Sequence, residues 1–318
     1  MDESFIIDNY LKPLSKKFKA ALNLSDDAAI LKVFKSKNLV VSVDNFIYGI
    51  HCPNFINISI AINRAILAAI SDLSAMAAKP YCIFLSITLN KNIITKVLLK
   101  DLQRGINNAL KSSKTMLAGG DLCSSPQHAS FSITVIGQGE KKKLLTRKGA
   151  RPNELLCVTG NIGDAKIGLD KLLKKRKASK GLLNDYFTKK FLNPPFRNDY
   201  VRSISKYVTS CIDISDGLIV DCFKLALNSN CGLNITSKAI PISIKAKQLI
   251  KKKVLSLNDL ISAGDDYELA FSVNELNLKI IKKIAIRKKV KISVIGKFSK
   301  EKKKLLDNKV FVRGYSHF

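Results

Sequence analysis

The chain of 318 residues contains no tryptophan, only three histidines, and 25 acidic residues against 54 lysines and arginines. Its seven cysteines include no Cys-x-x-Cys pair. This odd and scattered set argues against both a disulfide framework and a zinc site. We therefore expect most of the cysteines to be small buried residues.

Long hydrophobic runs are missing as well. The most apolar segment, residues 56–78, is interrupted by Arg64 and Asp72, so it falls short of the roughly 18 uninterrupted apolar residues that span a bilayer. Residues 1–8 are acidic, whereas a secretory signal begins with basic residues. These features predict a soluble, cytoplasmic protein with no membrane partner.

The familiar nucleotide-binding sequences do not occur either. The chain has no Gly-x-x-x-x-Gly-Lys-Ser/Thr pattern, and it has no His-Arg-Asp and Asp-Phe-Gly pair of the protein-kinase type. Gly137-Gln138-Gly139 lacks the third glycine of a dinucleotide fingerprint. An enzyme with this sequence would have to bind a nucleotide on another scaffold.

The formal net charge of +29 suggests nucleic acid as a partner. The basic runs, however, contain no interleaved aromatic residues and fall in predicted helix ends and loops. We interpret them as solvated surface, which makes a nucleic-acid partner unlikely, and keep a basic nucleic-acid-binding protein as an alternative. The runs are at residues 141–143, 174–180, 251–253, 287–289 and 302–304.

Apolar periodicity predicts alternating strands and helices, and hence an α+β protein. Residues 57–78 carry small apolar residues at helical spacing, which predicts a buried helix. Glycine, alanine and proline interrupt the pattern near residue 150, so we predict two domains, 1–148 and 149–318. Strands are predicted at 39–43, 81–88, 115–118, 130–136, 155–158, 211–214, 233–235, 268–273, 292–295 and 310–312, and further helices at 94–112, 164–173, 199–207, from about 217, and at 278–288.

Carboxylates recur where these apolar segments end in small or polar residues. Oxygen ligands of this kind suit hard cations such as Mg²⁺, and Mg²⁺ in a protein usually accompanies phosphate chemistry. The sequence therefore predicts acidic corners that face a common cleft and bind Mg²⁺ around a nucleoside triphosphate. These corners are Asp26-Asp27, Asp44, Asp72, Asp121, Asp213 with Asp216, and Asp265-Asp266.

Taken in order, these segments resemble a known family. The most specific are Ser71-Asp72-Leu73-Ser74-Ala75-Met76, Asp213-Ile214-Ser215-Asp216-Gly217-Leu218 and the terminal Gly314-Tyr315-Ser316-His317-Phe318. They resemble the thiamine-monophosphate kinase family of the aminoimidazole ribonucleotide synthetase-like superfamily, over nearly the whole chain. The resemblance implies a two-domain fold of that superfamily. Its N-terminal sheet domain would serve dimerisation and ATP and Mg²⁺ binding, and its C-terminal domain would be an α/β sandwich.

The resemblance also implies a reaction, namely ATP-dependent phosphorylation of thiamine monophosphate to thiamine diphosphate by direct in-line, Mg²⁺-assisted transfer in a homodimer. No covalent or acid–base catalytic residue is implied, and Arg147 is a candidate phosphate stabiliser. The implied metal positions are Asp27, Ser42, Val43, Asp44, Asp72, Asp121, Asp213 and Asp216; the ATP positions are Gly120, Asp121, Arg147 and Ser215; the substrate positions are His51, Asp265 and Tyr315.

The sequence departs from the family pattern at several of these positions. Val43 stands where a threonine is common, so only its backbone carbonyl could reach a metal, and Asp265 replaces a longer glutamate. His51 fits an ordinary loop histidine as well as a substrate contact. The closest alternative function is another ATP-using synthetase of the same superfamily.

Overall fold

The chain folds around two sheets, each in its own compact unit. In this computed structural model, residues 3–24, 28–32, 36–127, 129–176, 178–307 and 309–310 are described. One unit comprises Met1–Leu73, Ala78–Lys141 and Leu172–Leu182, and the other comprises Ser74–Ala77, Lys142–Lys171 and Leu183–Phe318. The domain limits 1–148 and 149–318 stay a prediction.

The first unit contains a four-stranded sheet with the order β1-β4-β2-β3. Strand β4 pairs antiparallel with β1 and β2, while β2 and β3 are parallel and are joined through a helix. The elements are α1 (Glu3–Ile6), α2 (Lys12–Ser15), β1 (Asn38–Ile47), α3 (Ile58–Ala75), β2 (Lys79–Asn90), α4 (Lys96–Ser113), β3 (Met116–Ser125) and β4 (Ser130–Gly139).

The two faces of this sheet differ in burial. Ile83, Leu85 and Ile133 are buried on the face that the helices cover. The alternate residues of β1 point the other way, and Val41 and Val43 are exposed there to 57% and 58%. The helices cover one face, and the other is partly covered: Cys82, Ala118 and Ile136 are buried there with Phe18, Ala29 and Leu31 packed against them. At β1 this second face presents exposed apolar side chains.

Helix α3 confirms the predicted buried helix. It is long and apolar enough to cross a membrane by length and composition, but 89% of it is buried inside the structure, as in the core helix of a globular domain. Glycines of its neighbours permit close packing: the backbone of Gly137 on β4 lies against Leu73, and the backbone of Gly105 on α4 lies against Ser59 and Ile62.

The second unit contains a seven-stranded mixed sheet with the order β11-β10-β7-β9-β5-β8-β6. Its strands are β5 (Leu155–Thr159), β6 (Val208–Asp213), β7 (Gly232–Ile235), β8 (Leu269–Val273), β9 (Ile292–Ser299), β10 (Lys304–Leu306) and β11 (Lys309–Val310). The remaining helices are α5 (Asp164–Lys175), α6 (Lys180–Leu183), α7 (Tyr186–Leu192), α8 (Asn198–Ile204), α9 (Leu218–Asn228), α10 (Ile244–Lys251), α11 (Leu257–Ile261) and α12 (Leu278–Arg287).

The side chains of alternate residues of β5 pack into two separate hydrophobic cores. Leu156 and Val158 pack into a cluster that includes Leu225 of α9. Cys157 packs into the opposite cluster, which includes Ile281 of α12. Helices therefore cover both faces of this sheet, in agreement with the α/β sandwich that the resemblance implies.

The predicted long elements are present, and the short helices α1, α2, α6, α7, α10 and α11 were not predicted. The prediction that most cysteines are buried is confirmed, since of the seven only Cys123 is exposed. The predicted end of a strand at residue 118 was wrong, because β3 runs on to Ser125 through Gly119 and Gly120. The irregularity of the strand is a register shift that skips Ala118, directly before these glycines, and the glycines continue the pairing with Phe84 and Leu85.

Candidate active site

In the first unit, a strand and a helix bring polar side chains together. Ser42 and Asp44 lie two residues apart on one face of β1, and Asp72 comes from α3. The Ser42 hydroxyl donates a hydrogen bond to Asp72 Oδ2 over 2.5 Å. Desolvation and, second, the charge of Asp72 raise the pKa of Asp44 to about 6, although Asp44 as a residue is exposed. A cation would stabilise two such carboxylates.

The donor atoms of this pair fit Mg²⁺, which prefers hard oxygen ligands and is often held by one or two carboxylates, with phosphate and water as its other ligands. Within the described residues, no group of three or more His, Cys, Asp or Glu side chains could hold a metal by itself. Asp27, which the resemblance assigns to a metal, lies outside the described residues. Asp44 and Asp72 are thus a two-carboxylate candidate that fits a metal shared with phosphate.

Asp121 lies inside β3, next to Gly120. An added Cβ at Gly120, where φ is +157°, would be 2.0 Å from the carbonyl oxygen of Leu85, so the close approach of β3 to β2 requires glycine there. Asp121 lies opposite Ser86 of β2. Both are exposed.

The pairing register of the strands places Asp121 and Asp44 on opposite faces of the first sheet. Asp121 is aligned through β2 and β4 with Asn45 of β1, and neighbouring residues of a strand point to opposite faces. Asp121 therefore lies on the same face of the sheet as the Val43 side chain, whereas Ser42 and Asp44 point toward α3. The sequence pattern did not reveal this division, because it depends on the irregularity in β3.

His51 lies in the turn after β1. Its Nδ1 accepts a hydrogen bond from the backbone N–H of Ile47 over 2.8 Å, and its ring packs beside Phe46 with the ring centroids 5.5 Å apart. An accepting Nδ1 places the proton of the neutral imidazole on Nε2. His51 is thereby fixed in orientation and half-buried.

In the second unit, the end of β6 and the chain before β8 form two adjoining loops. Beyond Asp213, the Tyr267 N–H donates to the Ile214 carbonyl over 2.8 Å, and the Asp265 N–H donates to the Ser215 carbonyl over 2.9 Å. A Cβ at Gly264 would be 2.1 Å from the Ser215 carbonyl oxygen. The structure therefore brings four predicted site residues onto adjoining loops: Asp213, Ser215, Asp216 and Asp265.

Two residues of α9 contact the first of these loops. Asp221 Oδ2 accepts from the backbone N–H groups of Ser215, Asp216 and Gly217. Lys224 Nζ donates to Asp216 Oδ2 over 2.5 Å and to Asp221 Oδ1 over 2.8 Å. Desolvation raises the pKa of Asp221, and the contact with Lys224 opposes this rise without cancelling it. Desolvation lowers the pKa of Lys224, but its hydrogen bonds to the two carboxylates outweigh this and raise it.

The second loop is anchored by buried carboxylates. Glu268 makes a two-point contact with Arg197, at 2.7 Å from Nε and 2.6 Å from the terminal nitrogen, and it also accepts from the Thr159 hydroxyl over 2.5 Å. Asp266 accepts from the Gly163 N–H with both oxygens. Desolvation raises the pKa of Asp266 well above its ordinary value, against the opposing effect of that N–H.

Arg147 is exposed, in the segment that runs beside β6. The carbonyl of its neighbour Thr146 accepts from the Cys211 N–H over 3.0 Å, and its own carbonyl accepts from the Ser229 hydroxyl over 3.3 Å. The backbone is thus held while the guanidinium faces solvent. Tyr315 lies outside the described residues.

The residues that hold these loops in place were not predicted from the sequence. Asp221 and Lys224 follow Asp216 by five and eight positions, so helical spacing could have placed both on one side of α9. Arg197 and Glu268 are 71 positions apart, and no local pattern connects them. The prediction that all the acidic corners face one cleft involves both units and stays a prediction.

Comparison with known proteins gives the class and the family. A protein-family model described as "AIR synthase related protein, N-terminal domain" matches residues 25–139. The chain is 34% identical over 325 residues to thiamine-monophosphate kinase of Buchnera aphidicola subsp. Schizaphis graminum, covering 100% of this chain and 99% of that protein.

Solved structures agree with this match. Thiamine-monophosphate kinase from Stenotrophomonas maltophilia K279a has a TM-score of 0.83 at 24% identity, over 91% of each chain, which shows the fold. AaThiL complexed with AMPPCP and TMP has a TM-score of 0.80 at 25% identity, over 97% of this chain and 98% of that one. The fold and the ordered carboxylates define an AIR synthase-related protein. Within that class, the chain belongs to the thiamine-monophosphate kinase family.

Proposed function

We propose that this protein transfers the γ-phosphoryl group of ATP to thiamine monophosphate, giving thiamine diphosphate and ADP. The observation that carries the proposal is the 34% identity over the full length to a thiamine-monophosphate kinase. A structural relative, AaThiL, is complexed with AMPPCP and TMP, which supports ATP as the phosphoryl donor.

In this reaction, an oxygen of the substrate phosphate forms the new bond to the γ-phosphorus, and the bond to the bridging oxygen of ADP breaks. The second pKa of a phosphate monoester is about 6, so the attacking oxygen is already ionised at neutral pH and no catalytic base is required. The task of the protein is therefore to position two anions and to compensate their charge.

In the first unit, Asp44 and Asp72 would hold Mg²⁺, with Asp27 and Asp121 as further predicted ligands. Bound Mg²⁺ would neutralise phosphate charge and orient the oxygens of the triphosphate. The Ser42 hydroxyl, by donating to Asp72, fixes the direction of that carboxylate. Val43 could contribute only its backbone carbonyl, because its side chain has no oxygen and also lies on the other face of β1.

In the second unit, Asp213 and Asp216 are the proposed metal residues, and Ser215 is proposed to contact ATP beside them. Arg147 offers an exposed planar guanidinium, which suits phosphate oxygens. Asp265 adjoins Ser215 through a backbone hydrogen bond, and it is a proposed substrate contact together with His51 and Tyr315.

We also propose a homodimer located in the cytoplasm. Val41 and Val43 expose apolar side chains at the β1 edge of the first sheet, and a second copy of the same surface would remove them from water. Among the described residues, α3 is the one helix long and apolar enough to cross a membrane, and its burial inside the structure supports a location away from the membrane.

An ADP-release assay with purified protein tests the function. ADP release is expected to require both Mg²⁺ and thiamine monophosphate, and Asp72→Asn is expected to lower kcat by about 100-fold or more, because a charge that stabilises the transition state is lost. Asp8→Asn removes an exposed carboxylate that pairs only with Lys12 among the ion pairs of the described chain, and it serves as the matched control.

The same assay separates the alternatives. Turnover of aminoimidazole ribonucleotide precursors without turnover of thiamine monophosphate would assign the protein to another ATP-using branch of the superfamily. Tight, salt-sensitive nucleic-acid binding that survives Asp72→Asn, with no ADP release, would favour the basic binding protein.

A further inference from the structure

The loop Ser215–Gly217 is organised around an internal anion. The carboxylate oxygen Asp221 Oδ2 lies 3.1, 2.9 and 3.2 Å from the backbone nitrogens of Ser215, Asp216 and Gly217. Successive N–H groups that point to one spot form an anion-binding nest. Here the chain fills the nest itself, with a side chain that is 1% exposed.

The charge of Asp221 is compensated from its own helix. Lys224, three residues further along α9, contacts Asp221 Oδ1 and also Asp216 Oδ2. One ammonium group therefore bridges a buried carboxylate and a half-exposed one. Asp216 is a proposed metal residue. The Lys224 ammonium therefore balances the negative charge of Asp216 that a bound divalent ion would otherwise balance.

We propose that Asp221 is a positioning residue that fixes the Ser215–Gly217 backbone for nucleotide and metal, and that Lys224 holds the Asp216 carboxylate until a metal ion replaces it. This inference rests on the proposed kinase function. It assigns the loop geometry to two residues of α9, and it predicts that the removal of Asp221 impairs the use of ATP whereas the removal of Lys224 lowers the Mg²⁺ requirement.

Helix capping alone does not account for these contacts. An acidic residue that only completes a capping box accepts the N–H of the N-cap residue, as Asp259 does with Ser256 in α11, whereas Asp221 accepts from Gly217 at the N-cap and also from Ser215 and Asp216 before it. Gly217, which precedes the helix, has no side-chain cap. The hydrogen bonds of Asp221 thus go to the loop that carries Ser215 and Asp216.

The test uses Asp221→Asn and Lys224→Met in the full-length protein. The asparagine keeps the shape of the side chain but loses the charge that three N–H groups and Lys224 share, and the methionine keeps an unbranched apolar stem without the ammonium. Asp170→Asn is the control, because Asp170 is an exposed carboxylate of α5 that pairs with Lys166. Each protein is examined by amide hydrogen exchange without ligand and by ADP release as a function of Mg²⁺ and ATP.

For Asp221→Asn, amide exchange is expected to rise at Ser215–Gly217 and to stay unchanged in β5 and α12. Its kcat/KM for ATP is expected to fall about 10–100-fold, the usual effect of losing a group that orients a ligand. For Lys224→Met, half-maximal activity is expected at about threefold lower Mg²⁺, because a competing cation is removed. The control should match the wild type in both measurements.

Unchanged loop exchange in Asp221→Asn would overturn the positioning role, and so would an increase spread evenly over the second unit. If Asp221→Asn does not fold, the direction of the Mg²⁺ shift in Lys224→Met decides, and a higher Mg²⁺ requirement contradicts the inference. If the wild type releases no ADP, the proposed kinase function fails by itself. The exchange measurement needs no substrate and still decides whether Asp221 holds the loop.

Discussion

At the scale of single residues, two neighbouring buried carboxylates are stabilised in different ways. Glu268 is paired with Arg197 through two hydrogen bonds, so the guanidinium offsets the cost of burying this carboxylate. Asp266, two positions earlier, accepts from the Gly163 N–H and lies near the charges of Glu268 and Asp164. Its pKa is raised by desolvation first, so burial of the ionised form costs stability.

This difference predicts a pH effect on folding. A carboxyl with a raised folded pKa favours the folded state most at pH values below its unfolded pKa of about 3.9, and this contribution is lost as the pH rises through the folded pKa. Asp266→Asn cannot titrate. The unfolding free energy of the variant minus that of the wild type should therefore become more positive from about pH 4 to about pH 8.

Urea denaturation at several pH values measures this difference. Asp170→Asn, which removes an exposed carboxylate of the same unit, controls for the change of one charge. A variant-minus-wild-type difference that stays constant with pH would show that Asp266 does not carry the effect.

At the scale of elements, the packing of α4 against α3 depends on one glycine. A Cβ at Gly105 would lie 2.2 Å from the Ser59 carbonyl oxygen and 2.5 Å from Ile62 Cγ2. Both distances are too short for real atoms, and one of the neighbours is backbone. The helices must therefore separate if any side chain is added at this position.

Gly105→Ala is expected to destabilise the protein by about 1–3 kcal/mol through overpacking, even though alanine is favoured over glycine in a helix by about 1 kcal/mol. Gly181→Ala in α6 is the matched control, since nothing lies within 4 Å of its added Cβ, and it should be neutral or slightly stabilising. Chemical denaturation of both variants checks the prediction, and equal effects would contradict it.

At the scale of the whole molecule, the exposed apolar surface of β1 is the feature on which the proposed dimer rests. The net charge of +29 opposes association in general, so a dimer requires a specific apolar contact. Val41 and Val43 supply exposed apolar surface on an edge strand. The proposed dimer therefore depends on β1.

Val41→Lys is expected to shift the protein from dimer to monomer, because a buried unpaired ammonium would be costly in the interface. Sedimentation velocity measures the change. Ile286→Lys adds the same charge at a residue of α12 that is 78% exposed, and it should leave the dimer intact. A wild-type protein that sediments as a monomer at all concentrations would refute the dimer.

Much of the fold could be predicted from local signals. Helix α3 could be predicted from its small apolar residues, and α4 and α12 from their apolar periodicity. In each case most of the side chains that are buried in the structure are apolar, so the sequence pattern reflects the burial. The short helices α7, α10 and α11 were missed, because a few residues do not establish a period. The extent of β3 was missed because two glycines suggest a turn but here continue the pairing with β2.

The sequence by itself determined which chemical groups the protein has and in what order: the ordered aspartates, the lysine-rich surface and the helical and strand periodicities are properties of neighbouring residues. Only the tertiary structure decided how those groups are used. It paired Ser42 with Asp72, placed Asp121 on the opposite face of its sheet from Asp44, and joined Glu268 to Arg197. Such contacts join residues that are distant along the chain, and their energies depend on burial, which a local pattern does not record.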